Sequence, residues 1–281
     1  MRSILRSVLL LAAALLLPQL ALAAYNCTVS SPGISAAYDP TSPSTQIVQT
    51  SFTITCTRAL TDANTMNWAN AANNGLHPTG GNRNRAQFGA SRISYDTYRD
   101  SACANQWRSG TANDINSTLS FGGSTTASTT VSFWGCIPAG QTGLPAGTYT
   151  DTVTMTLTYG PLNSISTGTF PVSIATPAQC SLSKAPGNVV FNYVAFAGAA
   201  NASTTYGVTC TSFLAYTMAL DATSGTILGV NYTLALSASS ATGSGVQQSY
   251  TINGNIAAGQ AGTCATSTCT ASQARVLTIT Y

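Results

Sequence analysis

The chain has 281 residues, of which 44% are apolar and 6% are charged, and its formal net charge is +3. Such a balance excludes the basic patch of a nucleic-acid-binding protein, and the many apolar residues exclude a disordered chain. The length suits two domains of about 120 residues.

The first 23 residues have the parts of a secretory signal peptide. Arg2 and Arg6 precede the apolar run 8–17, and Ala21-Leu22-Ala23 is a small-x-small cleavage site. The run is shorter than the roughly 20 residues needed to span a bilayer. We predict cleavage after Ala23, export through the periplasm and a mature chain without a membrane span; an uncleaved anchor is the alternative.

Two segments of the first half, 45–58 and 91–100, alternate apolar and polar side chains as half-buried strands do. The segment between them, 62–87, is rich in Asn, Gly and Ala and has no clear period. Long aperiodic segments inside a compact domain are often functional. We therefore predict that Met66, Trp68 and Leu76 lie on distal loops and contact a target surface; a core position is the alternative for Trp68.

The segment 163–179 lies just past the middle of the chain and follows a turn-forming stretch. Phe170, Val172 and Ile174 alternate with small or polar residues, which indicates a short strand with one apolar face. We predict a donor-like connector strand that completes the sheet of the first half and then leads into the second half.

Motifs of the first half recur in the second half in the same order, which predicts an internal duplication. The recurring pairs are 27–30 with 180–183, 55–57 with 209–211, 135–141 with 254–260, and the closing strands 153–159 with 276–281. Short strands, frequent turns and the lack of a sustained helical period predict a β-sandwich in each copy. The predicted domains are 24–162 and 163–281.

The eight cysteines all follow the signal segment, and an even number in a secreted chain indicates disulfides. Confinement within each copy leaves three pairings per copy. The spacing between the first two cysteines is nearly the same in both copies, which favours a bridge between them in each copy. The two cysteines that remain in each copy then form the second bridge. The predicted bridges are Cys27–Cys56, Cys180–Cys210, Cys103–Cys136 and Cys264–Cys269.

Groups suited to catalysis are scarce. The chain has one histidine, His77, and no glutamate, so it offers no paired-carboxylate glycosidase site and no triad motif. Walker, Rossmann and EF-hand motifs do not occur. We predict a protein that is not an enzyme and uses no cofactor or metal; zinc at Cys264 and Cys269 is the alternative there, without a nearby His or second Cys pair.

Four motifs of the first copy point to a family. They are Ile93-x-Tyr95-x-x-Tyr98-x-Asp100, Trp107, Gly135-x-Ile137-Pro138-x-Gly140-Gln141 and Ala146-Gly147-x-Tyr149-x-Asp151-x-Val153. Together they resemble the spore coat protein U domain. The resemblance covers nearly all of the first copy, whereas the second copy keeps a part of the pattern.

This resemblance implies a subunit of an archaic chaperone–usher pilus built from immunoglobulin-like sandwiches. Such a subunit lacks its last strand and is completed by a donor strand from the next pilin subunit. The implied partners are a periplasmic chaperone, an outer-membrane usher and that donor strand. We expect Leu277, Ile279 and Tyr281 to form the acceptor edge of a C-terminal domain that lacks its last strand, and Phe170, Val172 and Ile174 to face the groove of the first domain.

Only Ala24, Tyr25 and Asn26 precede Cys27 in the predicted mature chain, too few residues for a donor arm. A two-domain subunit without a donor arm is expected at the tip of a surface pilus, where its N-terminal domain mediates attachment and biofilm formation. A secreted structural coat or pilus-shaft protein without an adhesive role is the alternative.

Overall fold

The computed structural model describes residues 25–40, 42–79, 83–110 and 112–281. The predicted signal peptide and Ala24 lie outside the described residues. Within the described ranges all regular structure is β-strand. No helix that could cross a membrane occurs in this part of the chain.

The N-terminal unit, residues 25–176, contains ten strands. They are β1 (Asn26–Ser30), β2 (Ile34–Ala37), β3 (Gln46–Thr57), β4 (Thr65–Ala72), β5 (Asn84–Phe88), β6 (Ser91–Tyr98), β7 (Ile115–Ser120), β8 (Thr126–Ile137), β9 (Gly147–Tyr159) and β10 (Ser164–Thr176).

These strands form two layers. One layer has the order β1-β3-β8-β6 and the other has the order β2-β10-β9-β4-β7, while β5 pairs with both β6 and β9. In immunoglobulin nomenclature β1-β3-β8-β6 corresponds to the A-B-E-D layer and β4-β9-β10 to the C-F-G layer, so the arrangement is that of an immunoglobulin-like sandwich. The prediction of an all-β, immunoglobulin-like fold is confirmed.

Aromatic side chains fill the space between the two layers. Trp107 stacks on Phe52 at 5.1 Å between ring centroids, packs against Phe133 at 4.7 Å, and donates its indole N–H to the Asn70 carbonyl oxygen at 2.8 Å. Phe170 of β10 lies 5.3 Å from Phe133 and has no exposed surface. The strand β10 is therefore part of the core of the N-terminal unit.

The prediction of an aperiodic loop over 62–87 is wrong, because β4 and β5 occupy much of this segment. The inward positions of β4 are Met66, Trp68, Asn70 and Ala72, all buried. Two of these four side chains are small or polar, which hides the period-two pattern of the strand in the sequence.

The C-terminal unit, residues 180–281, contains eight strands. They are β11 (Cys180–Lys184), β12 (Ala200–Cys210), β13 (Ala215–Leu220), β14 (Ser224–Ile227), β15 (Val230–Leu236), β16 (Ser240–Thr242), β17 (Gln248–Ile256) and β18 (Leu277–Thr280). They form one sheet of order β11-β12-β17-β15-β14 and a second of order β16-β13-β18. A second core cluster lies among them, around Tyr206, Val208 and Met218.

A hydrogen-bond network that occurs once in each unit supports the predicted duplication. In the N-terminal unit the Gln141 backbone N–H donates to the Tyr38 hydroxyl, and the Gln141 side chain bonds both backbone groups of Ser94. In the C-terminal unit the Gln260 N–H donates to the Tyr193 hydroxyl, and its side chain bonds both backbone groups of Asn231. The two glutamines thus hold equivalent loops to equivalent strands.

The four disulfides of the structure join the predicted pairs. Cys27 lies opposite Cys56 in the β1–β3 register, and Cys180 lies opposite Cys210 in the β11–β12 register. Each of these two bridges therefore fastens the first strand of a unit to its neighbour.

We expect the two disulfides of the C-terminal unit to contribute unequally to its stability. Their cysteines are 30 and 5 residues apart in sequence. In a chain-entropy model, replacing Cys180 and Cys210 by Ala lowers the free energy of unfolding by about 3.6 kcal/mol, against about 2.1 kcal/mol for the Cys264 and Cys269 pair. Denaturant unfolding of the two double variants of the full chain measures both values, and a larger loss from the shorter loop would contradict the expectation.

Candidate functional site

The groove between β9 and β2 of the N-terminal unit is filled by β10 of the same chain. β10 pairs antiparallel with β9 along its whole length and parallel with β2 through Val172–Ala175. Phe170, Val172 and Ile174 are at most 1% exposed. At Gly168 the strand passes so close to β1 that a Cβ would overlap the Val29 carbonyl oxygen, so only glycine fits there.

Each strand of the C-terminal unit has a counterpart in the N-terminal unit at the same place in the strand order, although the β5–β9 pairing has no equivalent between β14 and β18. The pairs are β11 with β1, β12 with β3, β13 with β4, β14 with β5, β15 with β6, β16 with β7, β17 with β8, and β18 with β9. Within the described residues β10 has no counterpart in the C-terminal unit. The corresponding position is the free side of β18, which pairs with β13 on its other side.

The place of β2 is taken in the C-terminal unit by residues 189–192, which form no strand. Ile34 of β2 packs over Gly135, and Val189 and Phe191 pack in the same way over Gly254. The backbone of 189–192 thus lies where β2 lies, beside a groove whose other wall is β18. Here Leu277 and Ile279 are half-buried, and Tyr281, just past the end of β18, is 58% exposed.

Three connections between strands meet at the end of the N-terminal unit that is opposite to Thr176: those from β3 to β4 and from β7 to β8, which join different layers, and the hairpin turn from β9 to β10. We call this end the distal surface; it comprises residues 58–64, 121–125 and 160–163. Arg58 ties the first two connections together by bonds to Ser124 O, Asp62 O and Asn64 Oδ1. Tyr25 packs against Gly160 and donates its hydroxyl to Ala63 O at 3.0 Å.

The distal surface presents apolar side chains to solvent. Leu60 is 71% exposed, Leu162 is 54% exposed, and the neighbouring Ile165 of β10 is 66% exposed. The charged residues of the three connections are Arg58 and Asp62, and Arg58 is buried with its guanidinium 5.1 Å from the Phe121 ring centroid. An apolar, nearly uncharged end whose connections are held together by hydrogen bonds is suited to contact with an apolar surface.

The predicted surface-contact residues do not lie together. Met66 and Trp68 are 3% exposed on β4, so the prediction that they lie on exposed loops is wrong. Leu76 is 65% exposed on a loop, but its N–H donates to Asp151 Oδ1, and Asp151 is paired with Val172 near the Thr176 end. Of these three residues only Leu76 is placed for an external contact, and it lies outside the distal surface.

The buried carboxylates of the N-terminal unit have structural partners. Asp151 accepts from the Tyr95 hydroxyl at 2.7 Å, and burial together with the Asp151 charge raises the pKa of Tyr95. Burial also raises the pKa of Asp96, which accepts from the Asn84 N–H. No cluster of three or more potential metal ligands occurs within the described ranges.

A family model described as the Spore Coat Protein U domain matches residues 12–156, just over half of the chain. The chain belongs to the spore coat protein U domain family. The match spans most of the N-terminal unit and ends within β9. No curated protein matches the sequence of the chain.

Solved structures are similar to this spore coat protein U domain chain. A chain of the CsuC–CsuE chaperone–tip adhesion subunit pre-assembly complex, from the archaic chaperone-usher Csu pili of Acinetobacter baumannii, is 16% identical with a TM-score of 0.50; the match covers 91% of this chain and all of that one. The CupB6 tip adhesin of Pseudomonas aeruginosa is 10% identical over 92% of this chain and 96% of its own, with a TM-score of 0.42.

Sequence reasoning missed the distal surface of this spore coat U-type chain. The connections 121–125 and 160–163 are short and rich in Gly, and 58–64 mixes polar and small residues; Leu60 and Leu162 are the large apolar side chains that they expose. Their proximity is set by strand pairing across the sandwich, which a single sequence does not display. The sequence feature that could have indicated this surface is a large apolar residue in a turn-forming segment, as at Leu60 and Leu162.

Proposed function

We propose that this protein is the tip subunit of a surface pilus assembled by a chaperone–usher pathway, and that it attaches to surfaces through its N-terminal unit. The observation that carries the proposal is the difference between the two grooves. In the N-terminal unit β10 fills the groove, whereas the free side of β18 in the C-terminal unit lies beside a half-buried apolar face.

A single open groove fits a subunit that accepts one strand from another protein. Leu277 and Ile279 supply alternate apolar side chains on one wall, and 189–192 supplies backbone groups on the other. An added strand would pair antiparallel with β18 and parallel with 189–192, as β10 does with β9 and β2. We propose a periplasmic chaperone as the first occupant, an outer-membrane usher as the assembly site and the donor strand of the next pilin as the final occupant.

The likeness to the chain from the CsuC–CsuE complex supports the fold of such a subunit, because the match extends over the full length of that chain. We propose two domains, with the adhesive domain first. We propose a boundary after Thr176 rather than at 162/163, and the position of β10 in the N-terminal core supports this choice. In this arrangement the mature protein passes through the periplasm and is displayed at the pilus tip on the cell surface.

We expect attachment to depend on the distal surface. Replacing Leu60, Leu162 and Ile165 together by Ser removes the exposed apolar area of the three residues, each of which contributes up to about 1.5–3 kcal/mol when buried against a surface. Attachment of piliated bacteria to a hydrophobic surface should fall by about tenfold or more. Counting attached cells and pili by microscopy measures both effects.

The control is Leu76→Ser, which removes a comparably exposed apolar side chain away from the distal surface. It should leave attachment unchanged. Normal attachment by the triple variant, at normal pilus number, would contradict the adhesive role of the distal surface. Loss of pili on deletion of the whole chain would favour the alternative of a shaft or coat protein.

A further inference from the structure

The end of the C-terminal unit that points away from the N-terminal unit is apolar and uncharged. It is opposite to Ser212, which forms a bridge with Pro145 of the N-terminal unit, because β12 runs between the two ends. We call this end the basal surface; it comprises residues 193–197, 227–230 and 259–263. None of these residues is charged, and Val194 and Phe196 are 71% and 74% exposed. Exposed apolar area of this kind is suited to contact with another protein.

Hydrogen bonds join the three segments into one continuous surface. The Phe196 N–H donates to Gln260 O at 2.9 Å, and the Thr263 N–H donates to Leu228 O at 2.7 Å. The Gln260 side chain also bonds the backbone of Asn231, close to the β14–β15 turn. Phe196 and Leu228 therefore lie on two connections that are held to the same loop.

Phe196 and Leu228 occupy backbone positions that usually belong to glycine or asparagine. Their φ angles are +64° and +50°. Phe196 is the third residue of a turn that the Ala197 N–H closes by donating to Val194 O, and Leu228 is the first residue of the two-residue β14–β15 turn. A bulky apolar residue at such a position costs conformational free energy. The chain keeps these exposed side chains although they strain its turns, which indicates a function for them.

The N-terminal unit has an equivalent surface at its Thr176 end. The turns that start at Asp39 and at Val194 are each closed by a hydrogen bond from the N–H of the fourth residue to the carbonyl oxygen of the first. The loops 140–143 and 259–262 each begin and end with a glycine whose φ lies between 69° and 78°. The matching tyrosine–glutamine networks of the two units hold these loops to equivalent strands. The basal surface is thus the second copy of the Thr176 end.

In the N-terminal unit this surface is covered by the next unit of the chain. Gln179, in the segment that follows β10, donates its Nε2–H to Asp39 Oδ1 at 2.8 Å. Gly245 comes so close that a Cβ on it would lie 3.2 Å from the Gly143 nitrogen, and Ser212 forms its bridge with Pro145 beside this contact. The unit that follows the groove-filling strand therefore rests on the end where that strand leaves the groove.

We propose that the basal surface docks the folded body of the subunit whose donor strand fills the groove of the C-terminal unit, an inference that rests on the proposed function. β10 leaves its groove beside Gly147, at the start of β9, and a strand antiparallel to β18 leaves beside Leu277 in the same way. The body that carries the strand then follows at the basal surface. Val194, Phe196 and Leu228 make this contact apolar, so the partner is an immunoglobulin-like pilin with an uncharged apolar patch next to its donor strand.

The test compares two labelled ligands on the full mature chain produced with its periplasmic chaperone. One is the strand-donating pilin of the same pilus with its own groove filled by peptide, and the other is a synthetic peptide of its donor strand. We expect the whole pilin to dissociate at least about ten times more slowly than the peptide, because it also buries the apolar side chains of the basal surface. Fluorescence after addition of excess unlabelled peptide measures both rates.

Equal dissociation rates of pilin and peptide would overturn the basal contact and leave the acceptor groove of the proposed function intact. Failure of both ligands to bind would refute the acceptor groove itself, and this inference with it.

A double variant, Phe196→Asn with Leu228→Asn, separates docking from folding. It removes two apolar side chains and places in both turns a residue that tolerates a positive φ. We expect a melting temperature equal to or above that of the native protein, native release of the peptide, and about tenfold faster release of the whole pilin. Residues needed only for folding would instead lower the melting temperature and affect both ligands alike. Native release of the whole pilin by this variant would refute the proposal.

The matched control is Phe213→Asn, at the opposite end of the C-terminal unit. Phe213 has a φ of +61° and is 72% exposed, so the substitution removes the same kind of side chain from the same backbone conformation. It should leave the release of both ligands unchanged.

Discussion

Replacing Phe170 by Asp should unfold the N-terminal unit or bring it close to unfolding. Phe170 has no exposed surface and contacts Trp107 and Phe133 at the centre of the core. Loss of a buried Phe costs about 3–5 kcal/mol, and an unpaired buried carboxylate adds to that cost. Since domains are stable by only about 5–15 kcal/mol, thermal melting followed by circular dichroism should show a large loss.

The matched control is Ile165→Asp, in the same strand. Ile165 is 66% exposed, so we expect a change within about 0.5 kcal/mol. Equal melting temperatures for the Phe170→Asp variant and the native protein would show that β10 does not complete the core. That result would also remove the contrast between the two grooves on which the tip assignment rests.

Residues 177–281 produced alone should aggregate, whereas residues 24–176 should be soluble and melt cooperatively. The C-terminal fragment exposes the free side of β18 and the half-buried Leu277 and Ile279, and an uncovered apolar strand edge promotes association. Co-production of a chaperone, or addition of a strand-forming peptide with alternating apolar residues, should restore solubility. Size-exclusion chromatography after periplasmic expression measures both fragments.

The control for this experiment is the fragment 24–163, which lacks β10. It should behave like 177–281, and a peptide with the sequence of β10 should rescue it, because the peptide supplies Phe170, Val172 and Ile174 to the empty groove. A soluble 177–281 fragment that melts cooperatively without any partner would refute the incomplete-sandwich proposal.

Much of the fold could be predicted from the sequence because its period-two patterns are strong. In β9 the inward side chains include Val153, Met155 and Leu157 with threonines between them, and β10 continues the pattern through Phe170 and Ile174. The paired motifs around Gln141 and Gln260 likewise indicated a duplication, which the equivalent hydrogen bonds now explain.

The candidate site was harder to predict, for two physical reasons. In β4 the inward Asn70 and Ala72 break the apolar period, so a core strand carrying Met66 and Trp68 was taken for an exposed loop. At the distal surface, Leu60 and Leu162 are about 100 residues apart and come together only through sheet pairing. Burial and proximity of this kind depend on tertiary structure.

Because β10 belongs to the same chain as β9, the stability of the N-terminal unit should not depend on protein concentration, unlike that of a C-terminal unit completed by a separate strand. β10 is tethered to β9 by a turn of four residues, 160–163, so its effective concentration at the groove is fixed by the chain and does not change on dilution. A strand supplied by another molecule to β18 instead binds by mass action, and its stabilising effect rises with its concentration. Dilution should therefore lower the melting temperature of a peptide-completed C-terminal unit and leave that of the N-terminal unit unchanged.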